Sequence, residues 1–321
     1  MKRFLRAACA LSVSVSLTMS LSLAAGTAFA ADAPSCKTIR MSDPGWTDIT
    51  STNAIAGEVL AGLGYKQDVQ TLSVPIGYES MKNGDLDVFL GNWMPAQQKF
   101  IDALDEAKAV EVLGTNLTGA KFTLAVPNYV AESGVKDFKD LAPNADKFGS
   151  EIFGIEPGAP ANANIQKMID ADDFGLKGWK VVESGEQAML AQVRRATNGK
   201  KWIVFLAWAP HPMNETFAIT YLAGGDAYFG ANYGGADVRT LARSGWSAEC
   251  PNAAALFRNL TFDLAMENAM MGKILDDGEE PSAAAKAWLK AHPQALEPWL
   301  AGVTTFDGKP GLPAVKAALG L

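Results

Sequence analysis

The sequence predicts an α/β protein of two lobes with a ligand cleft between them, and three observations carry that prediction. Short apolar runs rich in Val, Ile and Phe alternate with helical patterns over residues 38–207, the mark of parallel sheets covered by helices. Two polar stretches rich in Gly or Pro, 114–119 (GTNLTG) and 210–214 (PHPMN), read as connectors between lobes. Cys36 and Cys250 lie far apart in sequence, and in an exported protein they pair most simply as a disulfide that ties both ends of the chain into one lobe. Two buried free thiols are the alternative.

Export is itself read from the N-terminus. Lys2, Arg3 and Arg6 precede an apolar run, and Ala28-Phe29-Ala30 supplies the small-x-small pattern of a signal-peptidase site, so residues 1–30 are expected to be a cleaved signal peptide and the product to be periplasmic. Cys9 leaves with that segment, and no second apolar stretch in 31–321 is long enough to span a bilayer. Strands are then expected at 38–42, 69–74, 86–90, 110–113, 122–126, 152–155, 180–183 and 203–207. Helices are expected at 52–63 and 76–83, closed by Gly64 and Gly84, and at 95–104, 162–169 and 186–198. From about residue 251 the pattern is helical, over 253–275, 283–291 and 314–319. The connectors divide this series into a first lobe of 31–117 with 214–321 and an inserted lobe of 118–213.

Charge and composition remove several function classes. A formal charge of −7, which loss of the basic N-terminus makes more negative, argues against nucleic acid or an anionic membrane as partner and suits a cation. The chain has only two His, His211 and His292, so neither a His-Glu-x-x-His helix nor a multi-His metal site is available, and no Gly-x-Ser-x-Gly elbow occurs. His211 between Pro210 and Pro212 reads as a rigid loop residue, and the Gly-rich 223–237 lacks phosphate-loop spacing and reads as turns. No catalytic residue, metal or cofactor is therefore expected. A hydrolase working through two carboxylates is the remaining enzymatic alternative.

Three of the eight Trp share a local grammar. Trp46 follows the strand at 38–42 through Asp-Pro-Gly, Trp93 follows 86–90, and Trp208 follows 203–207, each beside or near Gly or Pro at the carboxyl end of a strand. In open α/β sheets that edge borders the ligand crevice. Phe122 joins as a fourth ring, while Trp179, Trp202, Trp246, Trp288 and Trp299 lack this placement and read as packing. A quaternary ammonium has no N–H to donate, and its diffuse charge is attracted by ring faces at roughly 0.5–2 kcal/mol per ring. Asp48 adds Coulombic attraction and an acceptor for a ligand hydroxyl, or else caps the following helix. Sugars also stack on Trp, but the strand ends offer few polar groups beyond Asp48, Asn92 and Glu156.

The chain resembles the periplasmic choline-binding proteins of ABC importers, within the wider group that binds glycine betaine and related quaternary amines. The resemblance covers nearly all of 31–321 and is carried by DPGWTDI, GYESMKNGDLDVFLGNWMP, FGIEPG, FLAWAPHPMN, YLAGGD, NYGGADV and AWLKAHP. It implies a two-lobed periplasmic-binding-protein fold of type II character, acting as a monomer and delivering ligand to an ABC permease in the inner membrane. By position it places an aromatic box on Trp46, Trp93, Phe122 and Trp208, with Asp48 as the acid. Two departures stand out. Phe122 occupies a Tyr position, and Ala159 stands where the pattern has Asn, which leaves a hydrogen bond to the choline hydroxyl to Asn162 or to water. Choline is the expected ligand, with trimethylamine N-oxide, glycine betaine and carnitine as alternatives.

Overall fold

The computed structural model describes residues 32–321, so the signal peptide expected at 1–30 lies outside the described residues. Among the described residues nine strands form one continuous sheet in the order β2-β1-β3-β9-β4-β7-β5-β6, with β8 paired to β4 off this path. The strands are β1 Thr38–Asp43, β2 Lys66–Thr71, β3 Val88–Met94, β4 Val110–Pro127, β5 Glu151–Phe153, β6 Lys180–Val182, β7 Phe205–Ala209, β8 Ile219–Tyr221 and β9 Gly235–Arg243. At the two ends the pairs are parallel, β1 with β2 and β3, and β5 with β6 and β7. The middle is antiparallel, where β4 pairs with β9 and β7 and β9 pairs with β3.

This topology makes two lobes joined by the long strand β4. Its first part pairs with β9 from Val110 opposite Arg243 to Lys121 opposite Gly235, and its second part pairs with β7 from Lys121 opposite Ala209 onward. The sequence divides this strand in two because Gly114 and Gly119 read as punctuation. They fall instead at bulges, where the register with β9 shifts between Val112 and Gly114 and again between Leu117 and Ala120. Residues 214–229 pack on the second part of β4: Ile219–Tyr221 pair with Ala125–Pro127, Asp137 bridges Ala223, and the Phe138 and Phe229 rings sit 5.8 Å apart.

Among the described residues nine helices of nine residues or more cover the sheet: α1 Thr47–Gly62, α2 Val74–Asn83, α3 Gln98–Glu106, α4 Pro160–Asp170, α5 Glu186–Asn198, α6 Pro251–Asn259, α7 Leu264–Leu275, α8 Pro281–Ala291 and α9 Gly311–Leu319. The pattern over 253–275 resolves into α6 and α7 because the chain straightens at Leu260 and Asp263 then caps the next helix, accepting the Met266 N–H at 2.8 Å. Helix α1 buries Ile49, Ile55, Val59 and Leu60 and packs against α7, α8 and α9, so the C-terminal helices form the wall behind the first lobe. Strand β2 begins three residues earlier than expected, because Leu72–Val74 leads into α2, which carries Pro75 in its first turn. Its Lys, Gln and Asp side chains suit an exposed sheet edge. Cys36 and Cys250 are joined in a disulfide with Cα atoms 5.6 Å apart, tying the start of β1 to the start of α6.

Candidate functional site

The loop between β1 and α1 is held by Asp43. Its Oδ1 accepts the Gly45 N–H at 2.7 Å and its Oδ2 the Thr50 hydroxyl at 2.6 Å. Gly45 takes φ +89°, a conformation open to glycine, and this turn swings Trp46 to the carboxyl edge of the sheet. Trp93 lies near the end of β3 opposite Val238 of β9. Phe122 and Trp208 face each other as direct partners of β4 and β7. The chain returns behind Phe122 at Gly234, where an added Cβ would lie 1.8 Å from the Phe122 carbonyl oxygen, so only glycine fits there.

These elements bring Trp46, Asp48, Trp93, Phe122 and Trp208 onto one cleft, lined also by Ala96, Gln97, Ile155, Pro160, Ala161 and Leu206. The Trp93 and Phe122 rings stand edge to face, 6.3 Å apart at 83°. Two indole N–H groups are occupied by carboxylates: Trp46 donates to Glu156 Oε2 at 2.9 Å and Trp93 to Asp48 Oδ2 at 3.0 Å. With their polar edges engaged, the rings are fixed in place and present apolar surface to the cleft. Trp208 packs its ring on His211, 4.8 Å between centroids. Of the Trp read as packing, Trp179 and Trp202 both stack near Phe148, Trp246 near Phe257, and Trp288 on Trp299, none of them on the cleft wall.

Asp48 is 2% exposed and is the second residue of α1, whose N-cap is Trp46; it does not serve as the N-cap. Its Oδ2 takes the Trp93 N–H, and its Oδ1 is buried without a hydrogen-bond partner among the described residues. Burial, then the charge of Glu186, pushes its carboxyl up to about 8, against the pull of the Trp93 N–H. Glu156 behaves alike: burial raises it to about 7 while the Trp46 N–H opposes, and its Oε1 has no partner among the described residues. Behind them Glu267 is raised well above the ordinary range, first by burial and then by Asp48. None of the lining residues is Lys or Arg, so the wall combines rings with an unspent carboxylate oxygen and no cationic side chain. Such a combination is chemically suited to a bulky cation.

Ala159 and Asn162 do not line the cleft. Ala159 is the N-cap position of α4. The Asn162 amide is spent on its own loop, accepting the Ile155 N–H at 3.0 Å and donating to Ile155 O, Glu156 O and Glu183 Oε1. Gln97, which sequence reasoning passed over, is likewise engaged: it donates to Gly91 O and accepts from Asn92 and the Tyr78 hydroxyl. Glu186 carries no sequence signal beyond opening a helix, and only the folded chain brings its charge toward Asp48.

Residues 37–291 match the family described as the substrate binding domain of the ABC-type glycine betaine transport system. The chain belongs to that family. It is accordingly the substrate-binding protein of an ABC transporter of the glycine betaine class, and its two lobes are those of the family's fold. Among solved structures it is similar to an ABC-transporter choline-binding protein in complex with choline, at 57% identity and a TM-score of 0.88 over 89% of this chain and 99% of that one. It is also similar to lactococcal OpuAC in its closed conformation with glycine betaine, at 28% identity and a TM-score of 0.74 over 82% of this chain and 99% of that one. The glycine betaine/proline betaine-binding periplasmic protein of Salmonella typhimurium is 24% identical over 85% of this chain and 92% of its own length.

Proposed function

We propose that the protein captures choline in the periplasm, in a box formed by Trp46, Trp93, Phe122 and Trp208 with Asp48, and hands it unchanged and as a monomer to an inner-membrane ABC permease. The observation that carries this reading is the meeting of four rings with the unpaired Oδ1 of Asp48 on a wall without Lys or Arg. Three or four rings at roughly 0.5–2 kcal/mol each are of the same order as the 8 kcal/mol or so of micromolar affinity. The 57% identity to a choline-binding protein solved in complex with choline supports the same ligand. Trimethylamine N-oxide, glycine betaine and carnitine are alternatives for the same site. With Asn162 committed elsewhere, Asp48 Oδ1 is the acceptor we assign to the choline hydroxyl. We also place the inserted lobe between Gly119 and Gly234, not 118–213, because residues 214–229 pack on β4 and on Phe138.

Calorimetric titration with choline tests this reading, and its pH dependence follows from Asp48. Before a cation binds, the Asp48 carboxyl, raised from 3.8 to about 8, holds a proton near neutral pH, and Glu156 near 7 does so in part. The anion is the form that attracts a cation, so binding releases a proton and affinity rises as pH is taken through 7 to 8 and falls below. The same raised value costs stability as pH rises, since ionisation of Asp48 is then opposed by burial. Choline affinity is expected to increase between pH 6 and 8.5 with measurable proton release, and Asp48→Asn to flatten most of that slope. A flat profile in the unaltered protein would remove the charge role of Asp48. Recovery of chemically unchanged choline after long incubation separates the transport reading from a hydrolase.

A further inference from the structure

Glu186 lies outside the cleft wall, yet it joins the loops that carry the box. It opens α5 in the inserted lobe and its side chain is 1% exposed. Its carboxylate accepts the Thr47 N–H at 2.8 Å and the Thr47 hydroxyl at 2.6 Å, both from the first lobe. A third bond comes from His211 Nε2 at 3.2 Å. The His211 tautomer follows from its other nitrogen: Nδ1 accepts the Met213 N–H at 2.9 Å, so in the neutral ring the proton resides on Nε2 and is donated to Glu186. Thr47 stands between Trp46 and Asp48, and the His211 ring packs on Trp208.

Helix α1 explains why this contact matters. The first N–H groups of a helix lack intrahelical partners, and a Ser, Thr, Asp or Asn at the N-cap ordinarily supplies one. Here the N-cap is Trp46, which makes no such bond, and Asp48 is turned to Trp93. The acceptor comes from across the cleft, where a buried carboxylate meets the positive end of the helix. Once the lobes part, both groups must find water instead.

We propose that Glu186 is a positioning residue that latches the closed form: by capping α1 from the opposite lobe it holds Trp46 and Asp48 against Trp208 and sets how long a captured amine stays bound. The inference rests on the amine-binding reading for its ligand and on the inter-lobe bonds for its mechanism, and two measurements keep these apart.

The first is stopped-flow dissociation of choline followed by tryptophan fluorescence, for Glu186→Ala, Glu186→Gln, Thr47→Val and the double variant Glu186→Ala with Thr47→Val. The off-rate is expected to rise about tenfold in Glu186→Ala and less in Thr47→Val, with on-rates within about twofold; these are changes in lifetime, not in encounter. The double variant should be no faster than Glu186→Ala alone, because both changes cut the same link. Glu186→Gln, whose amide oxygen still accepts from Thr47, should recover part of the lifetime. Off-rates within about twofold of the unaltered protein, or fully additive effects, overturn the latch while leaving choline binding intact. The second is small-angle X-ray scattering without ligand, where Glu186→Ala and Thr47→Val should each give a larger radius of gyration at unchanged thermal stability of the fold. An unchanged radius in both variants counts against the latch even if choline proves not to be the ligand.

Discussion

Trp93→Ala and Trp208→Ala are each expected to weaken choline binding by at least about tenfold, equivalent to about 1.4 kcal/mol. The two rings come from opposite lobes and are each 6% exposed, so they meet the ligand in a nearly dry site, where a ring face is worth the upper part of its range. Truncation of Trp93 does further damage. It removes the one side-chain hydrogen-bond donor that Asp48 has among the described residues, at a carboxylate whose other oxygen is already buried without a partner. Trp93→Phe keeps a ring and loses the N–H, so its affinity should fall between those of the parent and Trp93→Ala. Calorimetry on the three variants checks this order. A variant with near parental affinity would remove that ring from the box.

Asp48→Asn should be selective, not uniform. Asn is close in shape and retains an oxygen for the Trp93 N–H, so the box itself should stand. What disappears is a charge in a cleft that excludes water, and choline, a net cation, is expected to lose about tenfold or more. Glycine betaine carries a carboxylate of its own, which the combined charge of Asp48 and Glu186 opposes, so it should lose little. Competition between the two amines, measured on parent and variant side by side, reads the change in ratio directly. Equal losses would leave Asp48 a role only in holding Trp93.

Much of the fold and of the placement of the proposed box residues was legible because the parts obey local rules. Strand β1 and helix α5 lie where periodicity puts them, and each Trp of the box follows an apolar run into Gly or Pro at a strand end, a placement readable without knowing the sheet order. Strand β9 escaped, although Ala236, Val238, Thr240 and Ala242 alternate inward, because the Gly-rich run before it was read as turns through to Asp237. That run does contain tight geometry: Asn232, Tyr233 and Gly234 all take positive φ before the strand begins. The division of β4 at Gly114 and Gly119 has the same origin, since glycine marks a bulge as readily as a loop. Other features were beyond any local rule. The cap that was the alternative reading of Asp48 comes instead from Glu186, which accepts the Thr47 N–H from 139 residues further along the chain. Asn162 looked available for a ligand because its commitment to Ile155, Glu156 and Glu183 exists only in the folded loop.

The most direct test of the central claim is a tryptophan fluorescence titration of residues 31–321 with choline, glycine betaine, carnitine and trimethylamine N-oxide under one set of conditions. Saturable binding of choline at micromolar concentration or below, with weaker binding of the three zwitterions, is the predicted result. A zwitterion that binds more tightly than choline would contradict the assigned charge role of Asp48. Absence of any response from all four would contradict the aromatic box itself and leave Trp46, Trp93 and Trp208 as plugs at the ends of their strands.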